Sequence, residues 1–242
     1  MLKLIHSDLY RLFHRPYLFV LTGILSALAI LFNVMFPTQT PIEESFQYAL
    51  NYMKFLPLFA VMIAEIVMAE ENKFSTLKNT ISSGLGRNRV YAGKLITAFI
   101  LTVFCAVITF LFYMGSAFLR MSAGKDLTPA FMGDYLLRIL VVFFLFVAAL
   151  FVAMVFTVAF QKKGAYVFSF IGCILILPLV FEGLGLSINV FRMLYKITIF
   201  GQAEGLYSIN STQLYQPFLV AVLHMVICGI IGIYIFRRQE IN

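Results

Sequence analysis

Long apolar runs separated by short polar interruptions organise this chain, and the length of each run predicts its element. Residues 17–36 make an unbroken run of 20. As a helix this run reaches about 30 Å, enough to cross the hydrocarbon of a bilayer. Further runs predict helices over residues 48–69, 95–119, 139–160, 165–181 and 218–236. The second is the least defined at its start. Residues 55–69 alone are short for a crossing, so the helix is expected to begin between 46 and 52, with Lys54 near the outer interface and Glu65 just inside the inner one. Pro178 should kink the fifth helix near its outer end, because proline removes a helical hydrogen bond. The fold class expected is all-α: a polytopic membrane protein of six transmembrane helices in a single membrane domain, residues 1–242.

The polar interruptions carry a pattern of their own. In residues 1–15, Leu2, Ile5, Leu9, Leu12 and Phe13 share a face, while Lys3, Asp8, Arg11 and Arg15 do not, which predicts an interfacial helix ended by Pro16. Residues 70–94 form the most hydrophilic break. Within it Phe74, Leu77, Ile81 and Leu85 fall on one helical stripe, with Thr76, Lys78, Asn79, Thr80 and Ser83 facing elsewhere. A short helix lying flat on the membrane is expected here, capped by Ser75 or Thr76 and ended at Gly84 or Gly86, its polar face turned to the cytoplasm. Residues 120–134 and 37–44 read as outer loops, and 161–164 as a tight inner turn. Residues 182–216 are neither clearly polar nor clearly spanning. Val190, Leu194 and Ile197 make a stripe beside Arg192 and Lys196, and Gly201, Gly205 and Pro217 break the chain beyond that stripe. Short interfacial or re-entrant helices are expected, since irregular backbone at membrane depth must be covered by protein.

Composition agrees with this and fixes an orientation. The chain is 62% hydrophobic and 12% charged, beyond what a soluble core needs. Its net charge of +7 is not gathered into a basic face, so nucleic acid is not an expected partner. With both termini inside, the inner segments hold twelve of the 18 Lys and Arg residues and the outer side six, as the positive-inside rule requires. The expected location is a bacterial cytoplasmic membrane, with several passes and both termini cytoplasmic. Basic residues before an apolar stretch containing Ala27-Leu28-Ala29 also fit a signal peptide, but the run continues well past that point and cleavage is not expected. Cys105, Cys173 and Cys228 lie singly inside apolar runs and read as small core residues. No Trp is present, so Tyr near the run ends supplies the interfacial belt.

Candidate chemistry is sparse. No nucleotide-binding Gly-x-x-x-x-Gly-Lys-Ser/Thr loop occurs, no His lies at helical spacing from Glu70-Glu71, and no serine sits in a nucleophile elbow. Catalytic residues and metal ligands are therefore expected to be absent, and His224 reads as a packed histidine rather than a proton relay. Glu65 is the one carboxylate close to a span's interior. It is the candidate for a translocation path, against the plainer reading that it reaches the inner headgroups. Glu70, Glu71, Lys78, Arg87 and Arg89 surround the amphipathic stripe, and a docking surface explains that stripe better than an idle loop does.

Two stretches carry a family likeness. Ser7 to Phe13 reads Ser-Asp-Leu-Tyr-Arg-Leu-Phe. Residues 69–87 run from Ala-Glu-Glu-Asn-Lys-Phe-Ser-Thr-Leu-Lys-Asn-Thr to Gly-Leu-Gly-Arg, and Tyr91-Ala-Gly-Lys94 comes next. They resemble ABC-2 type transporter permeases, and most of all the small bacterial subunits of peptide or bacteriocin efflux and immunity. Ser75 stands where that family commonly has glycine. The resemblance implies that residues 74–85 are a coupling helix seated on a cytoplasmic ABC ATPase subunit, through Glu70, Glu71, Phe74, Thr76, Leu77, Lys78, Ile81, Arg87 and Arg89. It implies that residues 1–15 are a connecting helix, that 182–216 form outer re-entrant helices, and that a second permease, identical or not, pairs with this one in the lipid bilayer. The function implied is ATP-driven export of an amphipathic or hydrophobic compound, such as a peptide. No cofactor is expected on this chain, ATP being bound by the partner subunit, and the chain is not expected to be an enzyme. The alternatives are a membrane-embedded substrate-binding subunit of a vitamin importer and an intramembrane enzyme.

Overall fold

The computed structural model of the protein describes residues 2–35, 37, 40–73, 86–120, 127–160, 162–206 and 208–238, with residues 69–73 described as backbone only. The elements in order are α1 (Leu2–Phe13), α2 (Pro16–Val34), α3 (Ile42–Tyr52), a 3-10 segment (Met53–Phe59), α4 (Ala60–Lys73), α5 (Arg87–Arg120), α6 (Pro129–Ala159) and α7 (Lys163–Ile171). A π segment (Gly172–Ile176), α8 (Leu177–Gly185), α9 (Asn189–Ile197), α10 (Ile199–Gly205), a second 3-10 segment (Ser211–Gln213) and α11 (Tyr215–Arg238) complete the chain. The described residues contain six helices long and apolar enough to cross a membrane: Pro16–Val34, Ile42–Met68, Arg87–Arg120, Pro129–Ala159, Lys163–Gly185 and Ser211–Arg238. The protein is an all-α polytopic membrane protein.

The boundaries depart from the sequence reading at four starts, the sixth span beginning at Ser211 rather than 218. The second span begins at Ile42 rather than near 48, the third at Arg87 rather than 95, and the fourth at Pro129 rather than 139. At Ile42, Arg87 and Pro129 polar residues continue a helix beyond the apolar run, and at Ser211 a 3-10 segment precedes it. Thr128 shows how the fourth is started. Its hydroxyl accepts from the Phe131 N–H at 3.2 Å, and Pro129 sits at the first helical position, where its missing donor costs nothing.

Two prolines leave local marks. Pro57 lies in the 3-10 segment that interrupts the second span. Pro178 is the second residue after the π segment of the fifth. In both places the ring cannot accept a regular α turn against the carbonyl four residues back, and the backbone tightens in one case and widens in the other.

The most apolar span, α6, is the centre of the bundle. Leu145, Ala148, Ala149, Leu150, Ala153 and Met154 are fully buried, and the alanines let neighbouring helices approach closely. The chief partners of α6 are α11 and α4, while α5 packs chiefly on α2. A second core lies away from the termini, where Phe46 stacks on Tyr135 with ring centroids 4.5 Å apart. The bundle therefore has two ends. The near end bears α1, the starts of α2, α5 and α7 and the ends of α4, α6 and α11. The far end bears the remaining connections and the α9–α10 hairpin.

Candidate functional site

The near end is built on a buried ion pair. Asp8 of α1 lies on the same helical stripe as Leu4 and Leu12, and that stripe packs on α5. Lys94, with its side chain 1% exposed, donates from Nζ to Asp8 Oδ2 at 2.7 Å. Arg11 stands 3.6 Å from the other carboxylate oxygen. This corrects the sequence reading, which put Asp8 on the polar face of α1 and Lys94 in a loop. A lysine this deep is desolvated, and the carboxylate offsets that cost. The signal was present in the spacing of Leu4, Asp8 and Leu12, but the charge of Asp8 assigned it to water.

One turn before Lys94, Tyr91 is fully buried against α11. Its ring lies 5.5 Å from that of Phe236. Gly232 is required here, because a Cβ at that position would fall 1.9 Å from the Tyr91 hydroxyl oxygen. Gly229 and Gly232 both face neighbours within the chain, Gly229 against Phe151 and Gly232 against Tyr91. At the first turn of α5, Arg87 Nη1 donates to the Arg237 carbonyl at 2.9 Å, tying that turn to the last turn of α11. Arg89 is exposed beside it. The start of α5 is thus held by α1 on one side and by α11 on the other.

The remaining site residues separate into three groups. Glu70 and Glu71 belong to the last turns of α4, described as backbone. Phe74, Thr76, Leu77, Lys78 and Ile81, with the coupling helix expected over 74–85, lie outside the described residues. Glu65 is half-buried on α4 and ion-paired with Lys163 at the start of α7. His224 engages the Val220 carbonyl one turn back at 2.8 Å.

The far end has a polar latch that the sequence did not disclose. Lys54, in the 3-10 segment, donates to Glu204 of α10, and the Tyr195 hydroxyl of α9 donates to the other Glu204 oxygen. The Lys54 ammonium also stands 5.5 Å from the Phe200 ring centroid. Burial opposes ionisation of Glu204, but the hydrogen bonds from Lys54 and Tyr195 and the charge of Lys54 outweigh it and hold the carboxyl below its ordinary range. Burial and then the Glu204 carboxylate push the Tyr195 phenol up, so it remains a donor. A second clasp uses Asp134, which accepts from Arg138 Nε at 2.7 Å and from Ser211, while Arg138 also reaches the Leu206 carbonyl. Within the bundle, Asn33 donates to the Tyr113 carbonyl and the Ser116 hydroxyl, each at 2.8 Å, and accepts from Ser45 at 3.2 Å.

These groups hold helices together at two opposite ends, an arrangement suited to transmitting movement. A comparison with curated proteins found no match. A family model described as ABC-2 family transporter protein matches residues 3–177, from α1 through the first four spans and into the fifth, and includes the segment between α4 and α5. With that match covering well over half of the 242 residues, the chain belongs to the ABC-2 family of transporter proteins.

Proposed function

We propose that the protein is the membrane permease subunit of an ATP-driven exporter that moves an amphipathic or hydrophobic compound, such as a peptide. A separate cytoplasmic ABC ATPase subunit binds ATP and docks on the near end, through residues 70–89. A second permease completes the translocation path. The observation that carries this reading is membership of the ABC-2 family over residues 3–177. The geometry around the docking segment supports it. Force delivered there enters α4 on one side and α5 on the other. The Asp8–Lys94 pair and the Tyr91–Gly232 contact make α1, α5 and α11 respond together, so a local push becomes a rigid-body movement of helices. The work asked of this chain is mechanical.

Co-purification with a cytoplasmic ABC ATPase, taken from the adjacent gene where one is encoded there, and ATP hydrolysis by the pair, test the reading. Wild type should form a stable complex. A variant with Phe74, Leu77 and Ile81 changed to Ser should lose the complex, or hydrolyse ATP without transport. Equal behaviour of wild type and variant would remove the docking role from this segment. Tight capture of a small vitamin by the isolated subunit would favour an importer's binding component instead.

A further inference from the structure

The spans enclose an apolar cavity of about 300 Å³ in the far half of the bundle, between α2, α5, α6 and the 3-10 segment that breaks the second span. Its inner wall is buried: Leu25 is 7% exposed, Tyr113 5% and Val142 5%. Its rim is not, since Leu28 is 46% exposed, Tyr52 58% and Phe55 40%. The cavity therefore opens sideways, through the flank of the spanning helices rather than at either end. Among the described residues, no charged side chain lines it. The polar atoms of two wall residues are engaged within the protein. The Thr102 hydroxyl donates to the Ala98 carbonyl at 2.9 Å, and Cys105 Sγ contacts the Thr22 hydroxyl at 3.2 Å. The 3-10 segment around Pro57 borders the space, with Met53, Phe55, Leu56 and Phe59 on its wall.

We propose that this cavity is a binding slot for one acyl chain of a bilayer lipid, entered from the side. Its volume lies at the lower end for ligand pockets. Apolar cavities of even half this size, about 150 Å³, stay dry and take up apolar molecules. The mouth lies among side chains that face hydrocarbon, where acyl chains are the abundant apolar solute. A flexible unbranched chain is also the shape that can turn from the bilayer into a recess behind Leu28 and Phe55. The slot rests on the cavity alone and stands apart from the transport reading.

The absence of Trp from the natural chain allows a direct test. Tyr113→Trp and, separately, Phe146→Trp place a lone indole on the cavity wall. Leu111→Trp, at a position 64% exposed, reports the lipid-facing surface, and Phe170→Trp, at 0%, reports the packed core. Each full-length variant is reconstituted in phosphatidylcholine vesicles with acyl chains brominated at mid-chain or left unmodified. The slot requires that bromine quench the indole at position 113 or 146 nearly as strongly as at 111, and that adding Ala106→Phe, which fills the cavity, reduce quenching to the level at 170. Two results overturn it. One is quenching at both 113 and 146 no greater than at 170. The other is unquenched indoles together with efficient disulfide cross-linking of Leu28→Cys between chains, which would show a second copy covering the mouth.

Discussion

The contact between Gly232 and Tyr91 is the tightest constraint at the scale of single residues. Gly232→Ala introduces a Cβ 1.9 Å from the Tyr91 oxygen and 2.5 Å from the ring carbon that bears it, so one helix must shift. Overpacking of this kind costs about 1–3 kcal/mol. Thermal unfolding in detergent should show the loss, and Tyr91→Phe should restore part of it, the ring carbon remaining in the way. A variant as stable as wild type would mean that α5 and α11 are not pressed together here. The Asp8–Lys94 pair makes the opposite kind of demand. Asp8→Leu takes the Asp8 carboxylate from a lysine 1% exposed and should lower stability, whereas Asp8→Leu combined with Lys94→Met should recover most of the loss. The spacing of Leu4, Asp8 and Leu12 marked the face of Asp8, but neither pair of partners was legible in the sequence. Hydrophobic patterning sorts residues into apolar and polar faces, and a buried ion pair uses charges on the apolar face. Gly232 was visible as a small residue, but nothing in the pattern named Tyr91 as its neighbour.

Elements were most legible where a long apolar run decided them and least where polar residues lengthened a helix. The third span begins at Arg87 because helical backbone, once nucleated, continues through Asn88, Arg89 and Tyr91 to the apolar run. Hydropathy alone placed these residues in a loop. The amphipathic stripe around Val190, Leu194 and Ile197 did mark a helix, α9. Its partner required tertiary structure. Phe191 of α9 lies 5.9 Å from Phe181 of α8, and a Cβ on Gly185 would stand 3.0 Å from the Arg192 nitrogen, so α9 folds back closely on α8. The Glu204 latch then joins α9 and α10 to the second span, and it carries a pH dependence whose sign is fixed. A carboxyl held below its ordinary value of 4.5 contributes stability that is complete above that value and is lost as pH falls through the depressed native value. Hydrogen exchange across α9 and α10, corrected for the intrinsic rate, should therefore accelerate at the acid end of that window. Glu204→Gln should exchange faster at neutral pH and lose the acid step. A pH-independent profile in wild type would mean that the latch does not hold the hairpin.

Across the whole molecule, the number of spans was readable because each apolar run is long enough to demand a helix, and the sidedness of the bundle comes from where the cations fall. Lys3, Arg11, Arg15, Arg87, Arg89, Lys94, Lys162, Lys163, Arg237 and Arg238 gather at the near end, and Lys54, Arg120, Arg138, Arg192 and Lys196 lie towards the far end. Cations cross a bilayer reluctantly, so the richer end should remain in the cytoplasm. Two positions read that orientation. Lys162 lies in the turn before α7 at the near end, and Ser187 lies between α8 and α9 at the far end. In a background with Cys105, Cys173 and Cys228 changed to Ala, an impermeant maleimide added to intact cells should label Ser187→Cys and leave Lys162→Cys unlabelled until the membrane is opened. The reverse result would put residues 70–89, the proposed docking segment, outside the cell, beyond reach of any cytoplasmic ATPase. Orientation and motor partner therefore stand or fall together: a chain that receives its energy at residues 70–89 must present the near end, with its buried pair and its close-packed glycine, to the compartment that holds ATP.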